Sequence, residues 1–183
     1  MCVCPLLELL PGHILRLVIV HILQPGFQLR PVLLQLLREQ AVQRIARLTG
    51  KDAKAAYALT QQITAESRQS DAWYPYFDQF AGLLRHKNSL VRNRAISILA
   101  ANARWDTDGK FNALLDEFLS HVADEKPVTA RQCVAALPEL AAAKPELIPK
   151  IRSALEQANL SGYPDSMQPL VLKDIVAALR ELP

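Results

Sequence analysis

The sequence predicts an all-α fold of stacked helical hairpins from residue 38 onward. Three observations predict this fold: the composition, the spacing of apolar residues, and a repeated pattern of helix pairs. Half of the 183 residues are hydrophobic and 21% are charged, so the chain can bury a core. Ala and Leu dominate, and no alternating β-branched run follows residue 40. This composition favours helices over strands.

The first 37 residues differ from the rest of the chain. They carry only Glu8, Arg16 and Arg30 of its 39 charged residues, and four prolines divide them into short apolar pieces. We therefore separate an apolar N-terminal extension, 1–37, from a helical repeat domain, 38–183. Three interpretations of the extension stay open: a start assigned too far upstream, a loosely docked apolar segment, and a membrane or targeting segment. Its longest apolar run, 14–23, is too short to cross a bilayer.

Helix ends are predicted by residues that stop or cap helices. A first helix over 33–48 should stop at Gly50, and Asp52 should cap the second. Asn88 and Ser89 should cap a later helix, and Asp165 or Ser166 the last one. Further residues carry the pattern through the chain: Pro127 in a first turn, Pro138 as a kink, Lys144-Pro145 as a helix start, and Asn159 and Gly162 as a helix end.

Apolar residues recur at helical spacing between these signals. The inward-facing sets are Ala56, Leu59 and Ile63; Trp73, Phe77, Phe80 and Leu84; Val91, Ala95, Ile98 and Leu99; Phe111, Leu114, Leu115, Phe118 and Val122; Val134, Leu137 and Ala141; Leu147, Ile148, Ile151 and Leu155; and Val171, Ile175 and Leu179.

The predicted helices form pairs, and the pairs repeat. Arg92, Arg131 and Lys173 each stand near the start of the second helix of a pair, 39 and 42 residues apart. A period near 40 residues with two helices per unit is typical of α-α superhelices, in which each unit covers its neighbour's apolar face. The sequence therefore predicts a solenoid of about three and a half helical hairpins.

The segment Asn88-Ser89-Leu90-Val91-Arg92 resembles the turn and second-helix start of HEAT repeats. The stretch 73–182 is similar to a family of short bacterial HEAT-type proteins of uncharacterised function. The motifs that carry this likeness are Tyr74-Pro75-Tyr76-Phe77, Ala103-Arg104-Trp105-Asp106, Arg131-Gln132-Cys133 and Lys144-Pro145-Glu146-Leu147. The resemblance implies an armadillo-type fold that binds a partner. Some family names suggest iron–sulfur cluster assembly, but this chain has no cysteine cluster that could hold one.

Catalytic motifs are missing from the sequence. The six glycines are isolated, so no phosphate-binding loop is predicted, and the four histidines lack the spacing of metal ligands. Cys133 stands within an apolar pattern, which indicates a buried thiol. The three cysteines do not form a disulfide framework, which favours a cytoplasmic location. We expect no enzyme activity, no metal and no cofactor.

Charge is distributed unevenly. No acidic residue lies between Asp78 and Asp106, and the next stretch is rich in acidic residues. The basic cluster in that interval is Arg85, Lys87, Arg92, Arg94 and Arg104, with His86. One interpretation is internal: Arg92 and Arg131 pair with acidic residues of the neighbouring repeat. The other is a basic patch that meets an acidic partner or phosphates. The pairs Asp116-Glu117 and Asp124-Glu125 are interpreted as solvated charge.

Our leading hypothesis is a scaffold or adaptor whose concave face, formed by the second helices, binds a protein, with no membrane association. Outward residues of these helices are the candidate contacts: Arg92, Arg94, Arg131, Gln132, Lys173 and Arg180. Arg85, Lys87 and Arg104 complete the candidate binding set. The alternative is a nucleic-acid-binding protein, including a DNA glycosylase-like one. Trp73 and Trp105 would stack on bases under that alternative, but apolar packing suits their positions better.

Overall fold

The structure, a computed structural model, describes the backbone of residues 29–182 and the side chains of residues 34–182. This part of the chain is all-helical and contains no strand. Its eight α-helices are α1 (Leu29–Arg47), α2 (Ala53–Gln69), α3 (Phe77–Gly82), α4 (Ser89–Asn102), α5 (Lys110–Ser120), α6 (Pro127–Ala143), α7 (Ile148–Glu156) and α8 (Gln168–Glu181). Short 3₁₀ segments cover Asp71–Tyr76, Leu83–Arg85, Ala103–Trp105, His121–Ala123 and Pro145–Leu147.

Several helix starts follow directly from local chemistry. The Asp52 carboxylate accepts a hydrogen bond from the Ala55 backbone N–H and caps α2, as predicted. The Asn88 side chain accepts from the Leu90 N–H and caps α4, as predicted. Pro127 occupies the first turn of α6, where its missing N–H leaves no bond unmade. These three residues therefore fix where α2, α4 and α6 begin.

The helices lie in two layers. In one layer, α2 packs against α4, α4 against α6, and α6 against α8. The other layer holds α3 with its flanking 3₁₀ segments, then α5 and α7. Its members are linked side by side, because Phe77 of α3 meets Phe111 of α5 at 5.7 Å between ring centroids, and Lys150 of α7 pairs with Asp116 of α5 at 3.7 Å. The second helix of each pair therefore lies beside the second helix of the next.

The core lies between the layers and is continuous from α1 to α8. Its largest fully buried side chains are aromatic: Trp73, Phe77, Phe80, Phe111 and Phe118. The predicted inward-facing residue of α6, Cys133, is fully buried, as expected. Burial raises the pKa of its thiol, so it behaves as a small apolar side chain.

Some predicted elements differ in detail. The stripe from Trp73 to Leu84 is one continuous pattern in the sequence, but the chain divides it among two 3₁₀ segments and α3. Neither Asp165 nor Ser166 caps the last helix. It begins after Met167 with no side-chain cap, and Pro164 supplies a carbonyl acceptor instead. Leu114 and Leu179, predicted to face inward, are only partly buried at the rim of the core.

The predicted boundary at residue 37 falls inside α1, which begins at residue 29 and ends at Arg47. The remaining predictions about the N-terminal extension concern residues 1–28 and lie outside the described residues. Among the helices of the described chain, none has the length and apolar character needed to cross a membrane.

Candidate binding groove

A groove of about 390 Å³ opens on the layer formed by the second helices. Three helices line it: α2, α4 and α6. Its lining residues are Ala53, Tyr57, Thr60, Gln61, Leu90, Asn93, Arg94, Ser97 and Gln132. The groove exists because α2, α4 and α6 lie side by side and short side chains, such as Ser97, occupy the space between them.

Apolar side chains stand exposed at the edges of this groove. Tyr57 is 63% exposed on α2, and Leu90 is 46% exposed at the start of α4. Val128, the second residue of α6 as Leu90 is of α4, is 58% exposed but does not belong to the groove lining. Tyr57 and Leu90 both line the groove, and exposed apolar side chains that lie together, rather than singly, are typical of a contact surface.

The floor of the groove is polar. Arg94 is buried and donates a hydrogen bond from Nη1 to the carbonyl oxygen of Leu48, just after the end of α1. Burial lowers the pKa of its guanidinium, which is nonetheless charged at neutral pH. Asn93 lies beside it, and its buried carboxamide oxygen has no hydrogen-bond partner among the described residues. Gln132 donates to the Ser97 hydroxyl at 3.0 Å across the groove.

Three predicted site residues occupy the same position, counted from the helix start, in α4, α6 and α8. Arg94, Gln132 and Lys173 are each the sixth residue, counted from Ser89, Pro127 and Gln168. The structure brings Arg94 and Gln132 together in the groove. Lys173 lies further along the same layer, on α8, where a shallow pocket is lined by Pro169, Leu172, Lys173, Val176, Ala177 and Arg180.

The expectation that Arg92 and Arg94 point outward is wrong. Arg92 is 6% exposed and Arg94 is 7% exposed. Both lie near the start of α4, where the neighbouring helices and loops cover the helix on several sides. Helical spacing alone places them beside the apolar stripe, but whether a neighbour covers them depends on helices distant in sequence.

Arg92 is part of a buried ionic network. Its Nε and Nη2 donate to both carboxylate oxygens of Asp124, at 2.9 and 2.7 Å, and Nη1 donates to the His86 carbonyl at 2.9 Å. His121 Nδ1 lies 2.8 Å from Asp124, and Tyr163 donates its hydroxyl to the Asp124 carbonyl. This is the internal pairing that the sequence suggested.

Asp124 corrects a second expectation, because it is buried and not a solvated charge. Burial by itself raises the pKa of this carboxyl. The hydrogen bonds from Arg92, the Lys126 N–H and His121 more than offset that effect, so the pKa lies below its ordinary value. Asp124 is therefore a charged structural group.

The other members of the basic cluster are spread over the surface. Arg85 is exposed and makes a bidentate pair with Glu117, at 2.8 and 2.6 Å. Arg104 donates to the Arg68 carbonyl at 3.0 Å, and Arg131 pairs with Asp174 of α8. Lys87 is exposed, and no ion pair is found for it within residues 34–182. The cluster therefore does not form one free basic surface.

Both tryptophans have structural contacts. Trp73 is buried in the core and donates its indole N–H to Glu66 at 2.7 Å. Trp105 donates to the Ser67 carbonyl at 2.6 Å. Trp73 therefore packs in the core as expected, whereas Trp105 is only partly buried and is held by a hydrogen bond.

Sequence reasoning found two of the nine groove residues, Arg94 and Gln132, and missed the other seven: Ala53, Tyr57, Thr60, Gln61, Leu90, Asn93 and Ser97. It searched for charge, whereas these residues are apolar or neutral. One signal was available for Tyr57, because it lies one position away from the inward-facing Ala56 and so falls off the buried stripe of α2. The missing hydrogen-bond partner of the Asn93 carboxamide oxygen is visible only once the helices are packed together.

Comparison with known proteins gives no match for this chain, whether to a protein-family model, to a curated protein or to a solved structure.

Proposed function

We propose that this protein is a non-catalytic, HEAT-like solenoid that binds a segment of a partner protein in the groove formed by α2, α4 and α6. The succession of second helices, each packed beside the next, supports the solenoid. One observation carries the binding function: the groove has exposed apolar edges and a polar floor, the composition typical of a ligand site.

The distribution of ion pairs favours a protein over a nucleic acid. A nucleic-acid surface neutralises several phosphates with free cations. Arg85, Arg92 and Arg131 instead pair with acidic residues of the same chain. The groove itself is lined by a single cationic residue, Arg94. A partner with apolar side chains and few charges fits this surface better than a polyphosphate.

Selection of random peptides on the full-length chain tests the proposal. We expect enriched peptides with apolar residues, which bind with micromolar affinity when measured by fluorescence anisotropy. Leu90→Asp should weaken their binding at least tenfold, because it places a charge at an apolar edge of the groove. Ala113→Asp on α5 is the matched control, since Ala113 is exposed in the opposite layer, and it should leave binding unchanged. Circular dichroism checks that both variants are folded.

A duplex DNA titration across a salt series tests the alternative. Micromolar binding that weakens steeply with salt would support the nucleic-acid function and contradict the proposal. The informative variant combines Lys87→Glu with Arg104→Glu, because both residues are exposed. Substituting Arg92 or Arg94 would perturb buried groups and could not separate binding from folding.

A further inference from the structure

Arg94 differs from the other buried cation of the described chain in having no acidic partner. Within residues 34–182 no carboxylate forms an ion pair with Arg94. Burial removes its guanidinium from water and lowers its pKa. A buried charge is strongly disfavoured unless it is paired or hydrogen-bonded. The Leu48 carbonyl at the end of α1 provides one acceptor. That contact engages one of the five N–H donors of the guanidinium.

The unfilled hydrogen-bonding capacity of Arg94 lies where a ligand can reach it, because Arg94 lines the groove. Asn93 lines the groove as well, but its carboxamide oxygen, which has no partner among the described residues, is enclosed and has almost no accessible surface. The guanidinium is therefore the group that a ligand can meet. A carboxylate supplies the acceptors that this lone cation lacks. A peptide carries such a group at any acidic residue.

The groove edges define what surrounds this carboxylate. Tyr57 stands on one side and Leu90 on the other, both with large exposed apolar surfaces. We propose that Arg94 binds the side-chain carboxylate of an Asp or Glu residue in the partner polypeptide, while Tyr57 and Leu90 pack against the apolar residues that flank it. This inference rests on the proposed protein-binding function and names the chemistry of the bound segment.

Charge complementarity also sets the number of acidic residues. One guanidinium matches one carboxylate, and charge-assisted hydrogen bonds of this kind are short and directional. A strongly acidic segment would place further carboxylates beside apolar edges that cannot satisfy them. The bound segment therefore carries one acidic residue between apolar neighbours.

The test uses the full-length chain and two blocked tripeptides, acetyl-Leu-Asp-Leu-amide and acetyl-Leu-Asn-Leu-amide, at constant ionic strength. The two probes have nearly the same shape and differ in charge. Chemical shifts of the arginine Nε–Hε groups report binding, and Arg94→Met identifies the Arg94 signal. We expect the Asp peptide to shift this signal and to bind about tenfold or more tightly than the Asn peptide.

Variants separate the Arg94 contact from general charge attraction. Arg94→Met should remove the preference for Asp over Asn. Arg47→Gln is the matched control, because Arg47 is an exposed cation close to Leu48 and outside the groove lining, and this variant should keep the preference. Equal affinity of the two peptides for the wild-type chain would overturn the inference without any variant. So would a preference that persists in Arg94→Met.

Two further measurements distinguish a carboxylate ligand from a phosphate ligand, and failure of the Arg94 inference from failure of the proposed protein-binding function. Inorganic phosphate that shifts the Arg94 signal at lower concentration than the Asp peptide would assign a phosphate site and overturn the carboxylate proposal. Selected peptides without an acidic position would overturn the Arg94 inference and leave the protein-binding function standing. Failure to select any peptide, with no Asp-peptide binding, would overturn both.

Discussion

Arg92 and Arg94 are two residues apart on α4 and are equally buried, but their surroundings differ. The Arg92 guanidinium meets both oxygens of Asp124, one of Glu125, and the His86 carbonyl. The Arg94 guanidinium meets one carbonyl and otherwise lines the groove. Arg92 thus joins α4 to the loop before α6, whereas Arg94 contacts the end of α1 and has no other hydrogen-bond acceptor among the described residues.

The comparison teaches that burial alone does not identify a structural charge. A buried cation with a complete set of acceptors contributes to folding, because removing it leaves its partner unpaired. A buried cation with unused donors destabilises the free protein and gains most when a ligand supplies the missing acceptor. Variants at the two sites should therefore separate stability from binding.

Arg92→Met should have the largest effect on stability. The change leaves the Asp124 side chain, only 4% exposed, without its cation. We expect a loss of about 3–5 kcal/mol in the free energy of unfolding, the range found when one partner of a buried pair is removed. Urea denaturation followed by circular dichroism measures it. Arg85→Met removes an exposed pair and is the control, with an unchanged midpoint. A midpoint for Arg92→Met equal to that of the wild type would contradict the structural role.

Asp106→Asn tests a second buried acidic group, in the loop before α5. Asp106 accepts hydrogen bonds from the Tyr74 hydroxyl at 2.7 Å and from the Lys110 N–H at 2.8 Å, and pairs with Lys144 at 3.0 Å. Losing the charge should lower the free energy of unfolding by about 1.5–3 kcal/mol. The exposed neighbour Asp108→Asn should change it little. Equal losses in the two variants would show that the network around Asp106 contributes nothing specific.

Stability should fall in acid because of these two carboxylates. Burial by itself raises the pKa of Asp106, but hydrogen bonds from Tyr74, Lys144 and two backbone N–H groups lower it by more, so its pKa lies below the ordinary 3.8. The pKa of Asp124 is lowered as well. Their contribution is complete above pH 3.8 and is lost as the pH falls through the lower folded-state values. Urea midpoints between pH 7 and pH 2 measure this decline. Asp106→Asn should reduce the fall of the urea midpoint between pH 7 and pH 2. An identical fall in the variant and the wild type would show that Asp106 does not contribute to the acid sensitivity.

Arg94→Met should have the smallest effect on stability, within about 1 kcal/mol of the wild type. The variant loses the hydrogen bond to Leu48 and also removes an unpaired buried charge, and these two effects oppose each other. The same urea titration measures the difference. A loss as large as that of Arg92→Met would show that Arg94 is a structural residue of the α1–α4 contact. The comparison between the two arginines would then fail.

Local sequence signals were sufficient to predict several helix starts and buried positions. Asp52, Asn88 and Pro127 act within a turn of their own positions, so their roles could be predicted from neighbouring residues. Cys133 could be placed in the core because apolar residues surround it at helical spacing. The division of the stripe around Phe77 into 3₁₀ and α segments could not be predicted, because the apolar spacing is compatible with either form over a few residues.

The groove could be predicted only in part. The sequence pattern aligns Arg92, Arg131 and Lys173, but these are the fourth, fifth and sixth residues of α4, α6 and α8. The residues that share one position in the three helices are Arg94, Gln132 and Lys173, so the predicted register was wrong for the first two helices. Asp124 was misassigned because its cation, Arg92, lies 32 residues earlier in the chain. A charged residue in a loop is usually solvated, and only the packing of α4 beside the loop before α6 buries this one.

The sequence by itself determined the all-helical class, several helix caps and most of the buried apolar residues, because helical periodicity and capping are local properties of the chain. The tertiary structure decided which charges are buried, which are paired and where the groove opens. Those properties depend on residues such as Arg92 and Asp124, Ser97 and Gln132, and Leu48 and Arg94, which are 32, 35 and 46 positions apart and meet only when the helices pack together.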